Sequence, residues 1–172
     1  MHKPSKNIQL QYEGYLNTPL LWSDRPLLGL EQLQFTKQLT THFYEDISDS
    51  MLLGKRVERF VNAELVKLEN IQILLENAQI QNQKVTIGEI DCILKQADIP
   101  IHLEIVYKFY LYDASVGSTE IDHWIGPNRK DSLVQILSKL QDKQLPLLHS
   151  TYAKSVLNKV NIDPEHTVQK VL

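Results

Sequence analysis

The spacing of apolar and polar residues predicts three consecutive β-strands in the middle of the chain. The runs 71–81, 86–94 and 101–110 either alternate between apolar and polar residues or are apolar throughout, which is typical of strands. Short polar turns at 82–84 and 95–98 connect these runs. Strands joined by such short links pair antiparallel, so the sequence predicts a meander with 86–94 as its central strand.

Apolar residues at helical spacing appear on both sides of this meander. Those of 51–68 and 131–143 recur every three to four positions, which predicts two amphipathic helices. Residues 145–148 are apolar and follow the second helix, so we expect a short strand that joins the sheet in parallel. Weaker patterns predict helices at 31–44 and 152–160.

These elements predict an α/β fold in which α-helices flank a mixed β-sheet. The chain length suits one domain over residues 1–172. We expect its core at about 51–148, a helical lead-in at 15–45 and a C-terminal helical segment at 151–172. Residues 1–14 show no strong pattern and are predicted to form a loose lead-in.

Two carboxylates interrupt the apolar strands of the meander. Asp91 lies in the central strand and Glu104 in the next, so the two side chains would stand side by side if these strands pair. Lys108 would share the face of Glu104 if the third strand continues to Tyr110. Carboxylate oxygens are the ligands that Mg²⁺ prefers, which predicts a metal site. The alternative from spacing alone is an ordinary cross-strand ion pair on an exposed sheet face.

The composition of the chain narrows the classes of function. The net charge is −3, which does not favour a strongly basic nucleic-acid surface. The single cysteine, Cys92, excludes an internal disulfide, and we expect a cytoplasmic protein without a signal peptide or a membrane span. The sequence has no phosphate-binding glycine loop and no zinc-ligand spacing among its six histidines. His123 is interpreted as structural. His102 shares the face of Glu104 and is interpreted as an exposed strand histidine, with a place in the site as the alternative.

Four further motifs, LGKRVERF, TIGEID, HLEIVYKFYLY and WIGPN, lie within about Leu53 to Leu145. They resemble the PD-(D/E)xK nuclease superfamily, which has an aspartate on one strand and E-x-K on the next. Within that superfamily they are similar to a bacterial family of unknown function, whose members tend to be longer. The resemblance implies a restriction-endonuclease-like fold and a Mg²⁺- or Mn²⁺-dependent nuclease. It also implies that Asp91 and Glu104 bind the metal and that Glu58 on the preceding helix supports the site.

The resemblance has one departure, because Val106 occupies the position of the usual lysine. Lys108, two residues further, is the candidate replacement and the fourth predicted catalytic residue. The alternative is a catalytically inactive module of the same fold that binds nucleic acid or a protein partner. For substrate contacts the sequence offers four polar or basic candidates on and before the helix at 131–143. These candidates are Arg129, Lys130, Lys139 and Gln144.

Overall fold

The fold centres on a four-stranded mixed sheet, described here from a computed structural model. The structure describes residues 6–22, 24–37, 42–48 and 50–172. The strands lie in the order β1-β2-β3-β6. Their bounds are Ile71–Asn82 (β1), Val85–Gln96 (β2), Ile99–Glu104 (β3) and Val168–Val171 (β6). A second sheet has two short strands, Leu111–Tyr112 (β4) and Trp124–Ile125 (β5).

The predicted meander is confirmed. β2 pairs antiparallel with β1 on one side and with β3 on the other. The turn from β2 to β3 holds Ala97 and Asp98 at φ values of 48° and 68°. Positive φ at both central residues suits the twist of a tight hairpin, and Asp tolerates it better than most residues. Because the pairing includes Cys92 with Leu103, Asp91 lies beside the end of β3 that carries Glu104.

The strand that completes the sheet is not the one expected from the sequence. The prediction of a strand at 145–148 is wrong, since Leu145–His149 form a 3₁₀ helix. Pro146 lacks a backbone donor for a ladder, and Leu145, Leu147 and Leu148 are all buried instead of alternating between two faces. β6 takes the parallel place beside β3 instead.

Helices pack against the sheet in three hydrophobic core clusters. The first core lies under α1 (Lys6–Asn17) and α2 (Leu53–Leu65), where Phe60 and Leu65 are fully buried with Leu94 and Leu103 of the sheet. The apolar stripe predicted for 51–68 is confirmed by this packing. The second core packs Ile93 against Leu148 and against Leu157 of α4 (Lys154–Lys159), and the third includes Leu133 and Leu137. α3 (Leu133–Lys139) continues into a π-helical turn, Leu140–Gln144.

The N-terminal third differs from its prediction in two places. The expected loose lead-in is wrong from Lys6 onward, because α1 buries Ile8, Tyr12 and Leu16 on one face. These residues follow helical spacing, but the polar residues between them and a tyrosine-containing face weaken the signal in the sequence. The helix expected at 31–44 is also wrong in its described part, since 32–37 and 42–44 are not helical. Residues 38–41 lie outside the described part.

The third strand of the meander is shorter than predicted. β3 ends at Glu104, and residues 105–110 form no ladder. The backbone N–H of Ile105 donates instead to the carboxylate of Asp91, and that of Val106 donates to Leu172. Face alternation therefore does not carry from Glu104 to Lys108. No helix in the described part of the chain is both long and apolar enough to cross a bilayer.

Candidate metal centre

Three carboxylates from two elements meet at one edge of the first core. Glu58 comes from the buried side of α2, and Glu89 and Asp91 come from β2. One oxygen or more of each residue lies within 4.8 Å of the others. Glu89 and Asp91 are two residues apart, which is the spacing that places strand side chains on one face. Glu58 is 7% exposed and the other two are half-buried.

Lys55 neutralises part of this carboxylate cluster. Its Nζ donates to Glu58 Oε2 at 2.7 Å and also contacts the carboxylate of Glu89. A third hydrogen bond, of 2.9 Å, goes to Asn77 Oδ1 on β1. Lys55 lies three residues before Glu58, so one turn of α2 places both side chains together. The ammonium group of Lys55 thus contacts two of the three carboxylates.

Burial perturbs the acids of the cluster. Loss of solvation raises the pKa of Asp91 to about 7, with the negative charge of Glu104 as the next cause. The hydrogen bond from the Ile105 N–H and the charge of Lys55 act against this rise. Burial also raises the pKa of Glu58, although Lys55 opposes that shift. A cation that enters among crowded acids stabilises their ionised forms. Groups with such perturbed pKa values are concentrated at functional sites.

Glu104 stands next to the cluster with both of its oxygens in hydrogen bonds. It is 1% exposed at the end of β3. Its Oε1 lies 2.7 Å from Nε2 of His102, and its Oε2 accepts from Nε2 of Gln144 at 3.1 Å. Glu104 is not one of the three residues whose oxygens gather within 4.8 Å, yet its charge raises the pKa of both Asp91 and Glu58.

The structure brings together four of the residues singled out in the sequence. Glu58 and Asp91 belong to the cluster, Glu104 lies beside it, and Gln144 binds Glu104. Lys108 instead forms an ion pair with Asp131. Its catalytic role stays a prediction.

The other substrate-contact candidates lie on exposed parts of the chain. Arg129 pairs with Asp113 at 2.6 Å, and its side chain is 68% exposed. Lys130 and Lys139 are exposed as well. Their predicted contacts with phosphate stay predictions.

Sequence reasoning missed Glu89, Lys55 and Asn77 as members of this site. For Glu89 a signal exists, since it precedes Asp91 by two residues in the same strand. For Lys55 the signal is its position one turn before Glu58 on a helix with a clear apolar face. Asn77 carries no such signal, because its place depends on the pairing between β1 and β2. Its φ of 49° is another feature of this strand that the pattern does not predict.

An apolar groove of about 560 Å³ lies next to the site without including its carboxylates. Val57 and Val61 of α2 form part of its wall, together with residues 105–110 and α3. Ile105, whose N–H binds Asp91, also contributes. The groove therefore adjoins the carboxylate cluster through α2 and through the chain that leaves β3.

The geometry defines a mixed α/β protein with a partly buried, lysine-bridged carboxylate cluster beside the central strands of its sheet. The chain belongs to the family described as domain of unknown function DUF1853, which matches residues 11–172. No curated protein and no solved structure matches the chain.

Proposed function

We propose that this protein is a metal-dependent nuclease that hydrolyses phosphodiester bonds in DNA or RNA with Mg²⁺ or Mn²⁺. The observation that carries this proposal is the convergence of Glu58, Glu89 and Asp91 within 4.8 Å. The order of elements also supports it. A helix with a glutamate, a strand with an aspartate, a strand with a glutamate and a later helical turn with a glutamine follow the order that the PD-(D/E)xK resemblance implies.

The residues present fit a hard divalent cation. All three are carboxylates, and hard cations bind carboxylate oxygen at about 2.0–2.6 Å. Oxygens gathered within 4.8 Å of one another satisfy that requirement with small adjustments. Glu58, Glu89 and Asp91 would hold the ion, and Glu104, which the sequence predicts as a metal ligand, would join them from the end of β3 beside Asp91. Such an ion supplies Lewis-acid stabilisation of the negative charge that develops on a phosphate.

The remaining residues have roles that follow from their contacts. Lys55 is the cation nearest the carboxylates, so in this proposal it orients substrate or stabilises charge when the metal occupies the cluster. The charge of a bound cation would favour the ionised form of Asp91, whose pKa burial raises to about 7 in the metal-free protein. The Ile105 N–H fixes one oxygen of Asp91 and thereby its direction.

Calorimetric titration of Mn²⁺ together with a nuclease assay tests the proposal. We expect wild type to bind Mn²⁺ and to cleave DNA or RNA, and Asp91→Asn to lose both while still unfolding in a single cooperative transition. Asn retains an acceptor for the Ile105 N–H, so the variant should fold. Asp113→Asn is the matched control, because Asp113 is a loop carboxylate outside the cluster that is paired with Arg129. A folded wild type that binds no Mn²⁺ would contradict the proposal.

A second candidate is a non-catalytic module of the same fold that binds nucleic acid or a protein partner. Val106 favours it, since this apolar residue lies in the groove wall where the resemblance places a lysine. Specific Mn²⁺ binding by wild type without cleavage of single- or double-stranded substrates would favour this candidate. Retention of partner or nucleic-acid binding in Asp91→Asn would then separate binding from the metal site.

A further inference from the structure

Beside the carboxylate cluster, a chain of buried polar side chains connects β6 with Glu104. His102 is completely buried and stands two residues before Glu104 on β3. Gln169 is its partner in the parallel pairing of β3 with β6. Nε2 of Gln169 lies 3.2 Å from Nδ1 of His102, and Nε2 of His102 lies 2.7 Å from Oε1 of Glu104. Buried polar groups in such a chain are costly unless each donor meets an acceptor.

The direction of these hydrogen bonds follows from the far end of the chain. Nε2 of Gln169 also donates to the carbonyl oxygen of Leu145 at 2.6 Å. This contact fixes the amide orientation, because a carbonyl oxygen can only accept. The other amide hydrogen therefore points to Nδ1 of His102, which must accept it. A neutral imidazole that accepts at Nδ1 carries its hydrogen at Nε2, and this hydrogen is donated to Glu104.

We propose that Gln169 and His102 are positioning residues that hold Glu104 in the orientation needed at the metal centre; this inference rests on the proposed function. Gln169 selects the Nε2–H tautomer of His102, and His102 then donates to Oε1 of Glu104. Gln144 donates to the other oxygen, Oε2. The carboxylate thus receives one donor on each oxygen and keeps its remaining lone pairs for the neighbouring site. Residues that orient metal ligands in this way typically change metal affinity by about 10- to 100-fold.

Mn²⁺ titration of position 102 variants provides the first test. His102→Leu fills the buried position with an apolar side chain but removes the hydrogen-bond donor to Glu104. We therefore expect at least about a tenfold loss of Mn²⁺ affinity. His102→Gln supplies an amide that can accept from Gln169 and donate to Glu104, so it should recover most of that loss. A purely steric role predicts the reverse order, and that result would overturn the inference.

Nitrogen NMR of the His102 ring tests the same chain without metal. We expect the Nε2–H tautomer in metal-free wild type and its loss or mixing with Nδ1–H in Gln169→Leu. Gln72→Leu, an exposed strand glutamine on β1, is the matched control and should leave both tautomer and Mn²⁺ affinity unchanged. An Nδ1–H tautomer in wild type would overturn the inference. If His102→Leu does not fold, Gln169→Leu decides through both measurements.

The failures of the two proposals can be told apart. Absence of Mn²⁺ binding by wild type contradicts the metal centre itself, whatever the tautomer of His102. Mn²⁺ binding by wild type that stays equally tight in folded His102→Leu and Gln169→Leu keeps the metal centre and overturns the positioning role.

Discussion

Two aspartates in different regions of the molecule have pKa values that are shifted in opposite directions. Asp91 lies half-buried in the carboxylate cluster, and loss of solvation raises its pKa to about 7. Asp113 lies in the exposed loop after β4, where hydrogen bonds from Ser115 and Arg129 lower its pKa to about 2. Two lysines also differ, since Lys55 bridges two carboxylates of the cluster while Lys108 forms an ion pair with Asp131.

This difference shows that contacts with cations do not by themselves indicate a functional site. The loop ion pairs are accessible to water, so solvation competes with each contact and the charges cost little to maintain. In the cluster, three acids share one lysine and have limited access to water. The cluster therefore carries negative charge that Lys55 only partly neutralises, and a metal ion can neutralise the rest.

The largest expected difference between the regions concerns cleavage by the two lysine variants. If the cluster is the reactive site, Lys55→Met should lower the cleavage rate by about 100-fold, comparable to loss of one stabilising group at a reaction centre. Lys108→Met should leave the rate nearly unchanged, because Lys108 pairs with Asp131, which is outside the cluster. A rate assay at saturating Mn²⁺ measures both. The opposite result would assign the role of the lysine to Lys108, as the sequence suggests.

The same Lys55→Met variant should lower the stability of the protein but raise its affinity for Mn²⁺. Without the ammonium group, Glu58 and Glu89 lose a hydrogen-bonded cation. We therefore expect the free energy of unfolding in EDTA to fall by about 1–2 kcal/mol, a figure kept small because Lys55 is partly exposed. Mn²⁺ should bind more tightly to this variant, since the ion no longer competes with the lysine. Denaturant unfolding in EDTA and calorimetric titration provide the two measurements. Weaker Mn²⁺ binding would show that Lys55 does not compete with the ion.

The pH dependence of stability should have opposite signs for Asp91 and Asp113. Asp91 has a folded-state pKa above its ordinary value of 3.8, so native protein retains a proton that the unfolded chain releases. Stability should therefore fall as pH rises from about 4 to about 7. The stabilisation from Asp113 is present above about pH 4 and disappears as pH falls toward 2.

Thermal unfolding in EDTA across pH 4.5–8 tests this difference. Asp91→Asn should show a smaller decline with rising pH than wild type, because the amide does not titrate. Asp113→Asn should keep the wild-type decline. An Asp91→Asn profile parallel to that of wild type would show that Asp91 does not retain a proton in this range.

The smallest expected effect belongs to the exposed loop pair. Arg129→Gln removes the partner of Asp113, but its side chain is 68% exposed and its contact is accessible to solvent. We expect the unfolding midpoint to stay within the reproducibility of the measurement, and the Mn²⁺ affinity to remain that of wild type. A marked loss of nucleic-acid binding in this variant would support the substrate contact predicted for Arg129.

The meander and its carboxylates could be predicted because they depend on local sequence. Period-two alternation and two short turns fix the pairing of β1, β2 and β3, and this pairing alone puts Asp91 beside Glu104. The helical stripe on α2 likewise places Glu58 at the edge of the core. These signals come from residues that are close in sequence, so they can be recognised without knowledge of the tertiary structure.

The remainder depends on contacts between distant parts of the chain. β6 is a four-residue strand whose identity depends on β3 being available as a partner. The end of β3 at Glu104 depends on the Asp91 side chain, which takes the Ile105 N–H. Gln169 joins the site from a position 65 residues after Glu104 in the sequence, and no local pattern indicates this connection.

The burial of Cys92 makes this residue an internal probe of local opening. Cys92 is the only cysteine of the chain, it is completely buried next to Asp91, and burial raises its pKa to about 12. A thiol reagent needs both access and thiolate, so native protein should resist modification. Each labelling event therefore reports a moment when β2 separates from its neighbours. The rate of labelling with and without Mn²⁺ would measure how firmly a bound ion closes the centre of the sheet.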